Sequence, residues 1–445
     1  MSSSLDTLVQ ELSKQLDDNW RSIAVTNTTN PTYTVKDTAL SEKQADWVTD
    51  GTGSAVASTV YIVTALRGSP LASAAPEGEE RVVNALTPST SLLTTTTLYP
   101  FTAAVANTDI YEVHRLFTRA EKERAIQYGC YATFPAVYKQ ISAYTRHSWI
   151  KDSTFYKWTT TTNPTYWNVD TVTATQTTAN PNIWFPGSSS CALSAATGFI
   201  SQRITEYEQL AYLQNTSITF KARIKASTAS QIKLAVWDGT TLTSGDYHAG
   251  GGDWSDPDDL DVTASIPDAP SEVEFRIYYD SLATTAYVAE AWTTGGGGQK
   301  SLDVSPYGLF QNRPSQIHKI TDEDYPEGTF TLVHNWESPT SDALVRFRSS
   351  VTEGALLRIL GMGFLTQPEN ADLIKATAAI STEADAPQIQ IIVAEAAVYL
   401  YDLLIARSPF QDITRGEAIK ARWENLAARR RIQFNMPQPA GTIHY

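Results

Sequence analysis

Residues 165–178 TYWNVDTVTATQTT, 198–205 GFISQRIT, 217–227 SITFKARIKAS, 232–241 IKLAVWDGTT, 273–281 VEFRIYYDS and 285–294 TAYVAEAWTT decide the fold. Each is rich in Thr, Val, Ile and aromatic residues and is bounded by Gly, Pro, Asn or Asp, the signature of strands between turns. No helical periodicity is read between them, so 161–298 is expected to be an all-β module. It ends at Gly295 to Gly298, a run that neither strand nor helix would keep, expected to act as a linker.

Working outward, Leu5, Leu8, Val9, Leu12 and Leu16 recur at helical spacing behind a serine cluster that can cap, with Asp6 in the first turn. From 20 to 116 short runs such as YTVKDTAL, STVYIVTAL, ERVVNAL and SLLTTTTLYPF predict a small β-barrel or sandwich. Thr118 with Glu121 forms a capping box that opens a helix with Ile126, Cys130, Thr133 and Val137 on one face, and helices are expected across 117–160. Beyond the glycine run, FTLVHNWES, ALVRFRSS and ALLRILG read as strands.

The chain then turns helical. Asp385 can cap, Pro387 sits in the first turn, and Ile389, Ile392, Val393, Ala396, Leu400, Leu403 and Leu404 make a broad stripe. Ile391 lies off that stripe, so this helix is expected to be buried on most sides. Thr414 with Glu417 announces a last helix carrying Ile419, Trp423 and Leu426 and ending in Arg429, Arg430 and Arg431, with an extended NMPQPAGTIHY after it. The expected fold is an α+β multidomain chain: a helical bundle built from both chain ends (1–19, 117–160 and 299–445), a small β-barrel insertion at 20–116, and a β-sandwich insertion at 161–298.

Composition narrows the function. The 445 residues hold 34 Lys and Arg against 48 Asp and Glu, a net charge of −14, which argues against a general nucleic-acid coat. Residues 161–303 carry seven basic and sixteen acidic side chains, a net of −9, whereas 407–431 carry seven basic and three acidic, a net of +4. Any contact with DNA or an acidic partner is therefore expected at the C-terminal end. Cys130 and Cys191 fall in different expected domains, so reduced thiols are anticipated. No secretory signal and no apolar run long enough to span a membrane is read, which predicts a soluble protein.

Catalytic chemistry has little footing. His114, His147, His248, His318, His334 and His444 are scattered singly, and no HExxH, GxSxG, Walker-type or dinucleotide loop occurs. Neither a cofactor nor enzyme activity is expected. Asp253, Asp256 and Asp258, with Asp259 and Asp261, crowd one turn and are weak calcium candidates, since the EF-hand spacing and its distal glutamate are missing. The more informative residues are Trp237, Tyr247, His248 and Trp254. Aromatic faces stack on sugar rings and polar neighbours fix the hydroxyls, so these four are candidate glycan-binding residues, with core packing as the alternative.

In the order of its pieces, 163–293, including YHAGGGDW and VTASIPDAPSEVEFRIY, resembles the carbohydrate-binding-module-like jelly rolls of tailed-phage virion proteins. The flanks resemble phage head-to-tail connector (adaptor) proteins: DIYEVHRLFTRAEKERAIQYGCYATFP on one side, LLRILGMGFL, PQIQIIVAEAAVYLYDLLIA and the Trp423-containing arginine-rich helix ending in MPQP on the other. The resemblance implies a structural virion protein at the neck, forming a ring of twelve copies beneath the portal around a DNA channel whose acidic lining lets DNA slide. Portal protein and tail or neck proteins are its implied partners, no membrane is involved, and Arg422, Trp423, Arg429, Arg430, Arg431, Phe434 and Met436 are candidate portal or neighbour contacts. The alternative is a phage tail or surface adhesin that binds host glycans through the jelly roll.

Overall fold

The computed structural model describes residues 3–18, 20–25, 32–48, 59–64, 78–105, 109–184, 189–255, 260–280, 284–320, 330–338, 343–348, 351–365, 381–382, 386–407 and 413–436. Its helices are α1 (Leu5–Leu16), α2 (Arg119–Ala132), α3 (Tyr207–Leu213), α4 (Ala386–Arg407) and α5 (Ile413–Phe434). The chain divides into two units, one of residues 1–139 with 364–437, the other of residues 140–363 with 438–445.

In the first unit the α1 stripe of Leu5, Leu8, Val9 and Leu12 is buried. It shares one apolar core with Ile126 and Cys130 of α2 and with Ile389, Ile391, Ile392, Ala396 and Leu400 of α4, and Trp423 and Phe434 of α5 pack on that core. The approach of α2 to α4 needs a glycine, because a Cβ on Gly129 would lie 2.7 Å from the Ile392 carbonyl oxygen. Contrary to the sequence expectation, Pro387–Arg407 of α4 holds an 18-residue window of mean hydropathy 1.8, long and apolar enough to cross a membrane; half of that window is buried.

Strands β1 (Trp20–Ile23), β2 (Thr34–Lys36), β3 (Thr59–Thr64), β4 (Glu80–Thr87), β5 (Leu92–Thr95) and β6 (Ile110–His114) form an antiparallel sheet in the order β1-β6-β3-β4-β5-β2. Beyond β1, the Val25 N–H donates to the Lys36 carbonyl at 2.8 Å, so the two edges meet as they do in a barrel. Val35, Val60, Ile62, Leu93, Tyr111 and Val113 fill the inside.

Buried charges tie β6 to α1 and α2. Lys122, fully buried, lies 3.0 Å from an Asp18 carboxylate oxygen and donates to His114 Nδ1 at 2.9 Å. An ammonium only donates, so Nδ1 is the acceptor and the His114 proton sits on Nε2, 3.2 Å from Glu112. Arg119 reaches Glu112 at 3.2 Å, Asp6 at 3.0 Å and Glu123 at 2.8 Å. The Thr118–Glu121 capping box is formed, each residue's backbone N–H donating to the other's side chain.

Two readings are corrected. The segment 117–160 holds one helix, not several: Pro135, which cannot extend a helix, follows α2, and the chain continues as β7 (Lys139–Arg146), which alternates buried and exposed residues. The all-β module contains a helix after all, α3, the seven residues YEQLAYL, whose Leu210 and Leu213 join the sandwich core. Thr414 also lies inside α5 rather than capping it, and Asp385 falls outside the described residues.

The sandwich strands are β8 (Asn168–Asp170), β9 (Thr173–Thr177), β10 (Ser190–Ser194), β11 (Gly198–Ile204), β12 (Ser217–Lys225), β13 (Ile232–Trp237), β14 (Leu242–Tyr247), β15 (Asp261–Ser265), β16 (Val273–Tyr279) and β17 (Ala286–Gly295). They make two five-stranded antiparallel sheets, β8-β11-β16-β13-β14 and β9-β10-β17-β12-β15, over a core that includes Ile200, Phe220, Ile224, Leu234, Phe275, Ile277 and Val288. Gly295, expected as linker, is the last residue of β17; it and the three glycines after it all have positive φ, which is why the run is glycine. The chain then forms β18 (Ser301–Asp303), β19 (Pro314–Ile320), β20 (Phe330–Leu332), β21 (Trp336–Glu337), β22 (Leu344–Phe347) and β23 (Leu356–Gly363), in sheets β18-β22-β21 and β20-β19-β23-β7.

Burial alone raises the Glu112 pKa, but His114 and the charges of Arg119 and Arg21 outweigh it and hold the carboxyl at about 2. A depressed folded-state pKa stabilises above the ordinary carboxylate range and is lost as pH falls toward 2. Thermal unfolding of the wild type should therefore drop steeply between pH 5 and 2 by roughly the scale of that pKa change, and Glu112→Gln should flatten the profile while lowering the neutral-pH melting temperature.

Candidate functional site

The strand alternation that buries Ile200, Leu234, Val236, Phe275 and Ile277 turns Phe199, Lys233, Trp237, Arg276 and Tyr278 to the outer face of the first sandwich sheet. Register aligns them into rows. Phe199 stands opposite Tyr278, Tyr278 opposite Lys233, and Lys233 opposite Tyr247. A parallel row runs Arg203, Glu274, Trp237 and Leu242, and Arg276 lies between the two rows opposite Ser201 and Ala235.

Contacts knit the rows together. The Phe199 and Tyr278 ring centroids are 5.1 Å apart. The Arg276 guanidinium lies 4.9 Å over Phe199 and 5.7 Å from the Trp237 ring, and it donates to Glu274 at 2.8 Å and to the Tyr278 hydroxyl at 3.1 Å. Lys233 sits 4.4 Å over Tyr247 and donates to its hydroxyl at 2.7 Å; the Tyr247 hydroxyl, and Asp280 beside it, raise the ammonium's pKa. The Trp237 indole N–H donates to Glu272 at 3.0 Å. Glu274 is almost fully buried beneath Arg276 and Arg203. The result is a strip of aromatic faces interleaved with fixed cations and carboxylates. Such a surface offers C–H/π stacking to a flat sugar ring and directed hydrogen bonds to its hydroxyls.

The second sheet offers no such face at its centre. Glu290 and Trp292 of β17 point outward yet are 2% and 4% exposed, because Arg146 covers both: it makes two hydrogen bonds to Glu290, at 2.9 and 2.7 Å, and lies 4.3 Å over the Trp292 ring.

Of the four glycan candidates, the structure brings Trp237 and Tyr247 onto one face and separates the other two. His248 follows Tyr247 directly, so it points the opposite way; it is buried, its pKa is lowered by that burial, and its Nδ1 accepts the Gly250 N–H at 2.9 Å. Trp254 bridges to Lys225 of the other sheet, with its ring 6.0 Å from Trp184, itself covered by Arg223 at 4.3 Å. Phe199, Tyr278, Arg276 and Lys233 were missed, although the alternation in GFISQRI and VEFRIYY marks the outward positions. Asp253 is exposed, Asp256 and Asp258 lie outside the described residues, and no metal-ligating group of three is found among the described residues. Cys130 and Cys191 are buried free thiols in different units; burial pushes Cys130 up to about 12.

The C-terminal candidates are largely occupied within their own unit. Trp423, Phe434 and Met436 pack on the helical core. Arg430 donates to Gln15 at 3.0 Å and to the Gln390 carbonyl at 2.9 Å, and Arg431 to Glu395 at 2.9 Å and the Ala132 carbonyl at 2.7 Å. Arg422 and Arg429 are exposed.

No protein-family model and no curated protein matches this chain. Among solved structures it is similar to the enzymatically active domain of tailspike protein 4 of bacteriophage CBA120, at 15% identity and a TM-score of 0.25 over 33% of this chain and 21% of that one. It is also similar to the CBM22-1 xylan-binding domain of Paenibacillus barcinonensis Xyn10C (14%, TM-score 0.27, 35% and 95% covered) and to TmCBM61 in complex with β-1,4-galactotriose (14%, TM-score 0.25, 33% and 97%). The chain thus spans about a fifth of the tailspike domain. At such low scores the functional argument rests on the residues themselves.

If the strip is a surface and not a core, Tyr278→Ala and Trp237→Ala should each cost about 1 kcal/mol or less of stability. Phe275→Ala, on the same strand as Tyr278 and fully buried, should cost about 3–5 kcal/mol. Denaturant titration distinguishes the two.

Proposed function

We propose that this chain is a carbohydrate-binding virion protein, a phage tail or surface adhesin that recognises host glycans along the outer face of the first sandwich sheet, and that it binds without cleaving. The observation that carries the reading is the row of Phe199, Tyr278, Lys233 and Tyr247 beside Arg276 and Trp237, where flat rings alternate with side chains held in place by their own hydrogen bonds. Rings held this way lose little freedom when a sugar stacks on them. The length of the strip, four strands wide, suits a chain of several sugars better than a single residue.

The measurement is retention of bacterial surface polysaccharides and their oligosaccharides. Wild type should be retained, Trp237→Ala and Tyr278→Ala should each weaken retention about tenfold or more, and Trp254→Ala should leave it unchanged. Retention that survives both platform substitutions sinks the reading.

A second reading is favoured by the first unit, where helices from both chain ends bury one another. There the chain is a head-to-tail adaptor, a ring of identical copies beneath a portal around the DNA channel, with the sandwich as its decoration. Purified protein should then assemble into closed rings or bind portal protein in electron micrographs and sedimentation. Monomers that ignore the portal under all assembly conditions would leave only the adhesin.

A further inference from the structure

The second unit contains a cleft that the sheet-face reading does not use. Residues 148–151, helix α3, the segment 298–303 and strands β21 and β22 enclose about 460 Å³, a volume that suits one or two sugar residues. Trp149 and Tyr212 form one wall, their ring centroids 6.5 Å apart and inclined by 36°. The Trp149 indole N–H donates to the Gly295 carbonyl at 3.3 Å, which fixes the ring, while Tyr212 is 61% exposed and open to a ligand.

Charge separates this cleft from a neutral sugar site. Four cations line it, Lys151, Lys300, Arg346 and Arg348, against three carboxylates, Glu208, Asp303 and Glu337. Lys151 is paired with Asp303 at 3.3 Å and Arg348 with Glu337 at 2.8 Å. Arg346 and Lys300 have no salt bridge among the described residues and are both exposed, in a chain whose net charge is −14.

We propose that this cleft binds a carboxylate-bearing sugar residue of the uronic-acid type. Its ring stacks on Trp149 and Tyr212, and its carboxylate is taken by Arg346 and Lys300. Charge-assisted hydrogen bonds from a guanidinium are stronger than those between neutral groups, so the carboxylate is the discriminating feature. The site shares no residue with the sheet-face strip and stands or falls separately from it.

Isothermal titration of the full chain with trigalacturonate, triguluronate and a hyaluronan tetrasaccharide, each beside its neutral methyl ester, tests this. At least one acid should bind about tenfold more tightly than its ester. Arg346→Gln, a change at an exposed position, should abolish that preference, Tyr212→Ala should weaken acid and ester alike, and Trp237→Ala should change neither. Equal binding of acid and ester, acid preference that persists in Arg346→Gln, displacement of the bound acid by equimolar inorganic phosphate, or binding by none of the three would each overturn the proposal. Loss of all binding in Trp237→Ala would instead place the ligand on the sheet face.

Discussion

A carboxylate at the position of Glu290, in mid-strand and out of reach of water, survives as an anion only with cations at contact distance. Arg146 provides the first, with two hydrogen bonds, and Arg223 the second at 3.2 Å. Burial alone would raise the Glu290 pKa; these charges reverse it and keep the group ionised. Arg146 also lies against Trp292 and donates to the Gly354 carbonyl, so the pair seals the centre of one sandwich face with the unit's own chain. Among the described residues the opposite face keeps a half-exposed aromatic strip, with Tyr247 39% exposed. The centre of the second sheet is thus closed by the way a single buried charge is neutralised.

The same logic recurs at smaller scale. Arg276, Lys233 and Trp237 are held by Glu274, Tyr247 and Glu272, so the platform's side chains are positioned before any ligand arrives. In the first unit, Lys122 and Arg119 use Asp18, Glu112, Asp6 and Glu123 to join a barrel strand to two helices. Arg430 and Arg431, which the charge pattern marked as outward-facing, are drawn into the same kind of internal bonding, with Gln15 and Glu395 as partners. An arginine-rich helix end is a net charge in one dimension; whether it faces outward depends on carboxylates and carbonyls distant in sequence.

Much of the architecture was legible because it is local. The α1 and α4 stripes, the Thr118–Glu121 capping box and the alternation in SITFKARIKAS and VEFRIYYDS each encode their own element. The errors arose where a second signal competed. Helical composition after Thr118 masked the alternation in KQISAYTR, and the strand context hid α3. Half of the aromatic site was legible, since Trp237 and Tyr247 sit at strand ends with outward parity, but Phe199, Arg276 and Tyr278 come from β11 and β16, which reach the row beside β13 only through the non-sequential order of the sheet. Grouping His248 with Tyr247 failed for an elementary reason: consecutive strand residues face opposite ways.

The strand that opens residues 140–363 and the one that closes them, β7 and β23, are hydrogen-bonded neighbours in one sheet. A segment whose two ends emerge side by side behaves, for the chain that carries it, like a plug fitted into a socket: what lies between the prongs can be exchanged for another fold of different length without stretching the backbone on either side. Recombination between related genes could swap this segment wholesale and retain the helices, and a designer could graft a foreign domain at the same two strands.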